Sequence, residues 1–566
     1  MISVREKRIR KRKKRIAYFS MEIGIHPQIR TYSGGLGILA GDTVNSCADL
    51  GIPLVAVSLL YRDGYFYQKL DALGNQQELP YEWNPKKLLR LLKKQVTVTI
   101  ENRTVYVRAW QYDVVGVTGY LLPVIFLDTN FEPNSEYDRS LSYSLYGGDK
   151  KCRFAQEAIL GIGGVKMLKE LGYCYLSRYH MNEGHASLLT LELLNQRKKN
   201  DELTWDIDGV KRMCVFTTHT PVAAGHDQFS YDLVEQVLGD FVPIDFLKIM
   251  GGEDNLNMTR LALNLSHYVN GVAKGHGRIS REMFPGYAID AITNGIHSFT
   301  WTSENFKKLY DQYVPGWRTD SFSLRYALSI PKEEIWNAHY QEKKALIDYV
   351  NAEINIAMDC NTLTIGFARR ATAYKRADLV FFDSNRLLNI AQNVGKIQFI
   401  FAGKAHPQDW PGKELMKKIF SASSELKDNI KIVYLENYDM ELAKMLIAGV
   451  DLWLNTPRKP KEASGTSGMK AAHNGIPSLS ILDGWWIEGC IEGLTGWSIG
   501  SAHDAENVDE RDANSLYEKL EKIIIPTFYS NRQSWIDIMR HCIAINASFF
   551  NTHRVAQQYV LNAYAY

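Results

Sequence analysis

The chain has 566 residues, of which 45% are hydrophobic and 23% charged, with a formal net charge of +3. That length exceeds what one hydrophobic core organises, so two large domains are expected. The composition is that of an ordinary globular protein: it sets aside internal-repeat and low-complexity architectures, and no apolar stretch reaches transmembrane length.

The charge is uneven. Residues 5–15 (REKRIRKRKKR) carry nine basic groups and one acid, which leaves the rest of the chain at about −5. Such a run suits nucleic acid or an anionic membrane in some proteins; here it reads as a solvated N-terminal arm, with neither partner expected. No secretory apolar region follows it. Seven cysteines lack CxxC and CxxH spacing, which argues for reduced thiols in a cytoplasmic protein, with no zinc site and no disulfide framework.

Short apolar, β-branched runs alternate with helical patterns. In the first half they fall at 16–19, 54–60, 124–127 and 215–218; in the second at 363–368, 397–402, 430–435, 450–454 and 478–482. Continuous apolar strands separated by helices predict an α/β fold with parallel sheets buried on both faces, doubly wound by right-handed crossovers. Residues 298–360 lack strand signals and include Pro315-Gly316-Trp317. The expected organisation is an N-terminal Rossmann-like domain over 1–297, a helical connection over 298–360, a second Rossmann-like domain over 361–526, and a helical segment over 527–566 that packs back across both. Ligands bind such sheets at the carboxyl ends of strands, so the active site is expected in the cleft between the two facing domains.

Several motifs follow strands directly. Tyr32-Ser33-Gly34-Gly35-Leu36-Gly37 allows close backbone approach of a phosphate, although it is not a dinucleotide fingerprint. Asn182-Glu183-Gly184-His185 and Thr217-Thr218-His219-Thr220 place histidines at strand exits without metal-ligand spacing. Thr293-Asn294-Gly295 is a turn with a side-chain amide. At 366–376, Arg369, Arg370, Lys375 and Arg376 crowd a strand exit, which suits one or two phosphates. Phe401-Ala402-Gly403-Lys404 is a similar exit. The stretch Lys461 to Gly475 (KEASGTSGMKAAHNG) joins a glycine- and hydroxyl-rich turn to a helix bearing Lys470. Lys470 suits either a phosphate counter-charge or a Schiff base with a phosphorylated aldehyde. Glu462 stands at the turn entrance, and Asp483-Gly484-Trp485-Trp486 lies just downstream.

In these residues the chain resembles the α-glucan (glycogen, starch and maltodextrin) phosphorylases, most of all their shorter prokaryotic and archaeal branch. Gly34-Gly35-Leu36-Gly37, Asn182 to His185, Thr218-His219-Thr220, Thr293-Asn294-Gly295, Arg369-Arg370 with Tyr374-Lys375-Arg376, Asn437-Tyr438, and Glu462 through Lys470 carry the resemblance in order, across roughly residues 16–500. It implies a GT-B fold, two Rossmann-like doubly wound domains facing a central cleft. It implies reversible, retaining phosphorolysis of the non-reducing-end glucose of an α-glucan by inorganic phosphate, releasing α-D-glucose 1-phosphate. It also implies pyridoxal 5′-phosphate bound as a Schiff base to Lys470, its 5′-phosphate facing the substrate phosphate as proton donor and acceptor. By the same resemblance Arg370, Lys375 and Arg369 offset the two phosphates, and His219 lies at the glycosyl centre. Gly35, Tyr438, Thr466 and Ser467 hold the cofactor. Asn294, Glu462, Ser464, Gly465, Glu183 and His185 hold the sugar. A homo-oligomer is expected from the family only.

Two departures stand out: larger members usually have lysine at Arg369 and Gly-Asn at Ser467-Gly468. The shorter length argues against the family's regulation by N-terminal phosphorylation and nucleotides. A nucleotide-sugar glucosyltransferase of GT-B type, such as a glycogen or starch synthase, is the alternative activity, and a silent glycan-binding homologue the alternative class.

Overall fold

The computed structural model describes residues 14–81, 83–198, 205–500 and 507–565. Most of the basic run at 5–15 lies outside them; its last two residues, Lys14 and Arg15, lie inside. The chain forms two compact units, unit 1 of Met1–Tyr65, Pro80–Thr293 and Val555–Tyr566, and unit 2 of Phe66–Leu79 and Asn294–Arg554. Among the described residues no helix is long and apolar enough to cross a membrane.

Unit 1 is built on a nine-stranded sheet. Its strands are β1 (Ile16–Ser20), β2 (Leu54–Leu59), β3 (Arg90–Ile100), β4 (Arg103–Val115), β5 (Leu121–Asp128), β6 (Arg178–Asn182), β7 (Cys214–Thr217), β8 (Tyr268–Gly271) and β9 (Asp290–Ala291). They run in the order β9-β8-β7-β6-β1-β2-β5-β4-β3. Pairing is parallel from β9 to β5, and β5, β4 and β3 close the edge antiparallel. Every residue of β1 and β2 is buried, the pattern of strands covered on both faces. Helix α1 (Gly35–Asp49) follows β1 and presses so close to the segment just past that strand that a Cβ on Gly41 would lie 1.9 Å from the Gly24 carbonyl oxygen.

Unit 2 holds a six-stranded, wholly parallel sheet of β10 (Leu363–Ala368), β11 (Ile397–Ala402), β12 (Lys431–Leu435), β13 (Leu452–Asn455), β14 (Ser478–Ile481) and β15 (Gly496–Ile499). The order is β12-β11-β10-β13-β14-β15. The chain therefore winds outward from β10 through β11 and β12, returns to the other side at β13, and leaves a topological switch point between β10 and β13. In such sheets the crevice at the carboxyl ends of the two switch-point strands is the ligand site.

Residues 298–360 are helical and fold with this sheet. Helix α2 (Lys332–Ile354) lies against α3 (Met440–Gly449), and a Cβ on Gly449 would meet Leu346 Cβ at 2.6 Å. The hairpin of Tyr67–Leu70 and Gln76–Leu79 also belongs to unit 2, although it precedes most of unit 1 in the chain. Buried amides hold it there. Gln68 Nε2 donates to the Gly403 carbonyl at 2.9 Å, and Gln76 Nε2 donates to the Ala405 carbonyl at 2.9 Å. Each unit is assembled from separate stretches of the chain: unit 1 takes up Val555–Tyr566 and unit 2 takes up Phe66–Leu79.

Candidate active site

At the switch point of unit 2, β10 ends at Ala368 and the basic loop begins. The Arg369 N–H donates to the Ala402 carbonyl at 3.1 Å and the Ala371 N–H to the Lys404 carbonyl at 3.0 Å. The loop thus leaves the sheet along the extension of β11. Gly403 permits this, since its φ is +150° and a Cβ there would lie 1.9 Å from the Arg369 carbonyl oxygen. Lys404 itself reaches back to the Phe66 carbonyl at 2.9 Å.

Two of the loop's cations converge on one carboxylate oxygen. Glu462 Oε2 lies 2.5 Å from Lys375 Nζ and 2.9 Å from Arg369 Nη2, with all three side chains 10% exposed or less. Arg370, beside them in the chain, is exposed. Arg376 turns the other way. Its backbone is left-handed (φ +46°), and its guanidinium donates to the carbonyls of Thr456 (2.9 Å) and Pro457 (3.0 Å) while pairing with Asp509 and Asp512 at 2.6 and 2.7 Å. The four-residue basic cluster therefore splits into three groups at the crevice and one structural pin.

Burial, aided by the neighbouring Arg369 and Arg370, pulls Lys375 down to about 7 against the opposing pull of Glu462. Burial by itself raises a carboxyl; Arg369 and Lys375 outweigh it and hold Glu462 below its ordinary value.

The facing turn is bolted in place by the segment after β14. Asp483, 5% exposed, accepts from the Glu462 N–H through Oδ2 and from the Gly484 N–H through Oδ1, both at 2.9 Å. Burial raises Asp483 to about 6. The Trp485 N–H donates to the Ser464 carbonyl at 2.8 Å. Gly484 has φ +56°, and a Cβ there would sit 2.3 Å from that same carbonyl oxygen.

Lys470 lies on α4 (Ser467–Ala472), a helix of only six residues. So short a helix offers little dipole, and the Thr466 side chain makes no capping bond. Lys470 is 8% exposed, and its Nζ stands 3.5 Å from the centroid of the buried Trp301 ring. The Ser467-Gly468 departure now has a physical reason. The Ser467 hydroxyl accepts from Trp453 Nε1 at 3.0 Å, and a Cβ on Gly468 would lie 2.7 Å from Trp485 Cζ2. Any larger residue at 468 would push against that indole. Tyr438 is half-buried in the turn after β12, beside Asn437, whose φ is +53°. Asn294 is buried and its carbonyl accepts from Arg554 Nη2 at 3.0 Å.

Unit 1 carries its own set of strand exits. Just past β1, buried Glu22 accepts through Oε2 from the N–H groups of Ser33 (2.7 Å) and Gly34 (3.3 Å), and through Oε1 from the Tyr146 hydroxyl at 2.7 Å. This carboxylate fixes the start of the glycine loop. Gly35 follows at the first position of α1, and a Cβ there would meet nothing within 4 Å.

Past β6, Glu183 adopts φ +76°, a strained value for a side-chain-bearing residue. Its carboxylate secures it, accepting from the N–H of Gly184 (2.9 Å), the N–H of His219 (2.7 Å) and the Thr220 hydroxyl (3.0 Å). Both Glu183 oxygens are thus engaged inside the protein, and the residue orients the His219 peptide. His219 Nε2 meets Asn182 Oδ1 at 2.6 Å, and Asn182 Nδ2 donates to the Ser20 hydroxyl at 3.0 Å, which in turn donates to the Glu22 carbonyl at 2.6 Å. That chain of donors makes Oδ1 the acceptor and places the His219 proton on Nε2. Burial drives His219 well below its ordinary value and His185 down to about 3, so both are neutral.

Within unit 2 the structure brings Arg369, Lys375, Glu462, Gly465 and Ser464 together, with Lys470 on the helix that follows. Within unit 1 it brings Glu183 and His219 together. Residue-by-residue reading missed Glu22 and Trp301. Glu22 carried one usable signal, an acid placed two residues past a buried strand. Trp301 carried none, since its meeting with Lys470 spans much of the chain.

The profile of the carbohydrate phosphorylase family matches residues 240–521. A maltodextrin phosphorylase of Thermococcus litoralis is 40% identical over 591 aligned residues, covering 97% of this chain and 70% of that protein. A glycogen phosphorylase of Aquifex aeolicus is 35% identical over 98% of this chain and 86% of its own length. An uncharacterized protein of Methanocaldococcus jannaschii is 32% identical over 97% of this chain and 99% of its own length. At these identities, sustained over nearly the whole chain, it belongs to the carbohydrate phosphorylase family.

Proposed function

We propose that the chain is an α-1,4-glucan phosphorylase. It transfers the non-reducing-end glucose of an α-glucan to inorganic phosphate, reversibly and with retention, releasing α-D-glucose 1-phosphate. One observation carries the reading: buried Arg369 and Lys375 meet at the switch point of unit 2, in a chain whose relatives are phosphorylases. Convergent buried cations form a site for a dianion. On this proposal it is a GT-B enzyme whose two doubly wound domains face a central cleft.

The residues around Lys470 fit pyridoxal 5′-phosphate. A buried primary amine against an indole face, preceded by a glycine- and hydroxyl-rich turn, suits a flat aromatic aldehyde that carries a phosphate. Lys470 would hold it, with Gly35, Tyr438, Thr466 and the backbone of Ser467 assigned to its phosphate. When bound, the cofactor supplies a phosphate monoester that exchanges a proton with the substrate phosphate.

The protein's own groups make that approach tolerable. Two like unit charges 4 Å apart repel by about 4 kcal/mol near a protein surface, and two dianions repel several times more. Arg369, Arg370 and Lys375 offset this. The carbonyl of His219, held in direction by Glu183, is assigned to the positive charge that develops at the glucosyl carbon. Asn294, Glu462, Ser464 and Gly465 are assigned to the glucosyl hydroxyls. Glu183 and His185 are assigned to the same site through the loop they shape.

The test is phosphorolysis of maltoheptaose with and without inorganic phosphate, by protein prepared with and without pyridoxal phosphate. Release of glucose 1-phosphate that requires both is expected. Glucan extension from a nucleotide sugar, with no phosphate-dependent release, would replace this reading with the glucosyltransferase one.

A further inference from the structure

We propose that Glu462 is an exchangeable internal anion: its carboxylate holds Lys375 and Arg369 until a phosphate oxygen displaces it, and the released carboxylate then accepts a glucosyl hydroxyl. Phosphate and sugar would each tighten the other's binding. The inference rests on the phosphorylase reading and concerns how its two substrates are coupled.

The geometry supports an exchange. A single oxygen, Glu462 Oε2, takes both cations, at 2.5 Å from Lys375 and 2.9 Å from Arg369. These are two of the three cations assigned to phosphate, so an incoming phosphate competes for donors already in use. The cluster holds three positive groups against one carboxylate. A dianion brings twice the charge of a carboxylate and three acceptor oxygens, so the replacement is favourable.

Movement is confined to the side chain. The Glu462 backbone is tied through its N–H to Asp483, and the neighbouring Ser464 carbonyl is tied to the Trp485 N–H. Gly465 (φ +73°) stands beside the pair: a Cβ there would press on Glu462 Oε1 at 3.3 Å and reach ordinary contact with Arg369 Nη2 at 3.5 Å.

A carboxylate shared between a phosphate-binding and a sugar-binding role makes the two ligands interdependent, and the dependence is reciprocal. Equilibrium dialysis of radiolabelled inorganic phosphate against the pyridoxal-loaded full chain reads it directly. The sugar is 1,5-anhydroglucitol, which offers the ring hydroxyls but no transferable bond. Saturating sugar is expected to tighten phosphate binding by about fivefold or more in the wild type. In Glu462→Gln, phosphate is expected to bind at least as tightly as in the wild type without sugar, and to gain nothing from sugar. Glu462→Asp keeps the charge one methylene short and is expected to lose the coupling too. Pyridoxal absorbance and thermal midpoint report folding. Weaker phosphate binding by E462Q in the absence of sugar, or coupling that survives both variants, overturns the inference while an active wild type leaves the phosphorylase reading standing. A wild type that releases no glucose 1-phosphate overturns both.

Discussion

Asp483→Asn tests how the facing turn is held. Asp483 is 5% exposed and its two oxygens accept one N–H each, from Glu462 and Gly484, at 2.9 Å. Asparagine supplies one oxygen and one NH2 group, so one backbone donor must face another donor. A buried donor left unsatisfied costs about 1–3 kcal/mol, which is about 5- to 150-fold in an equilibrium or rate constant. Relief comes by moving the Glu462 backbone, which pulls its carboxylate off Lys375 and Arg369. We expect kcat/KM for phosphate to fall about tenfold in D483N and further in D483A, where both bonds are lost. The pyridoxal absorbance proposed for Lys470 should persist, since the residues that end its helix are held by Tyr310 and Trp301. The assay is initial-rate phosphorolysis with phosphate varied at saturating maltoheptaose, alongside the absorbance spectrum and thermal midpoint. A D483N enzyme within twofold of wild type in kcat/KM for phosphate would show that the Trp485–Ser464 bond alone positions Glu462, and the reasoning would fail.

Three further outcomes follow from named groups. Lys375 is depressed to about 7, so it loses its charge as pH rises through that value, and the KM for phosphate should rise on the alkaline side. Lys375→Arg stays charged and should flatten that rise, with phosphate's own ionisation common to both enzymes; equal profiles would refute it. His473 donates through Nδ1 to the Met469 carbonyl (2.8 Å) and accepts at Nε2 from the Ser298 hydroxyl (3.0 Å), and burial lowers it to about 4. The unfolded histidine, titrating near 6.5, takes the proton first, so its stabilising contribution is full above about pH 6.5 and declines as pH falls toward about 4. Thermal midpoints between pH 7 and 5 should drop less in His473→Gln than in wild type. Fully buried Asp451 binds Lys343 Nζ (2.5 Å), His339 Nε2 (2.9 Å) and the Thr364 N–H (2.7 Å). Asp451→Ala leaves Lys343 buried without its counter-charge and should destabilise by about 3–5 kcal/mol. Turnover of the folded fraction should stay near wild type, because Asp451 sits at the amino end of β13 and Arg369 at the carboxyl end of β10.

Five of the six strands of unit 2 were legible because they are almost wholly buried, so that apolar residues dominate them; β15 (GWSI) was not among the predicted runs. The runs at 363–368 and 397–402 coincide with β10 and β11. By contrast β3, with the sequence RLLKKQVTVTI, and β4 beside it pass unrecognised. One of their faces is open, so charged and polar residues interleave with apolar ones. The strand β6 (RYHMN) is not among the predicted runs either, since Arg178, His180 and Asn182 interrupt its apolar pattern, His180 bonding Thr217 and Asn182 bonding His219.

The site divides along the same physical line. That residues 369–376 and 461–475 carry anion chemistry is visible locally, because the residue types are contiguous and follow a strand. Which cation serves which partner is not. Lys375 and Arg376 are neighbours in the chain, yet a left-handed turn sends one to Glu462 and the other to Asp509 and Asp512. Gly468 is required because Trp485 and the Ser478 hydroxyl occupy the space beside it. By itself the sequence determined the chemical inventory, the parallel α/β class and the family, all of which rest on local pattern or on residue identity. The tertiary structure alone decided the pairings, because contact between residues some 87 positions apart, as between Lys375 and Glu462, depends on strand order, and no local pattern encodes it.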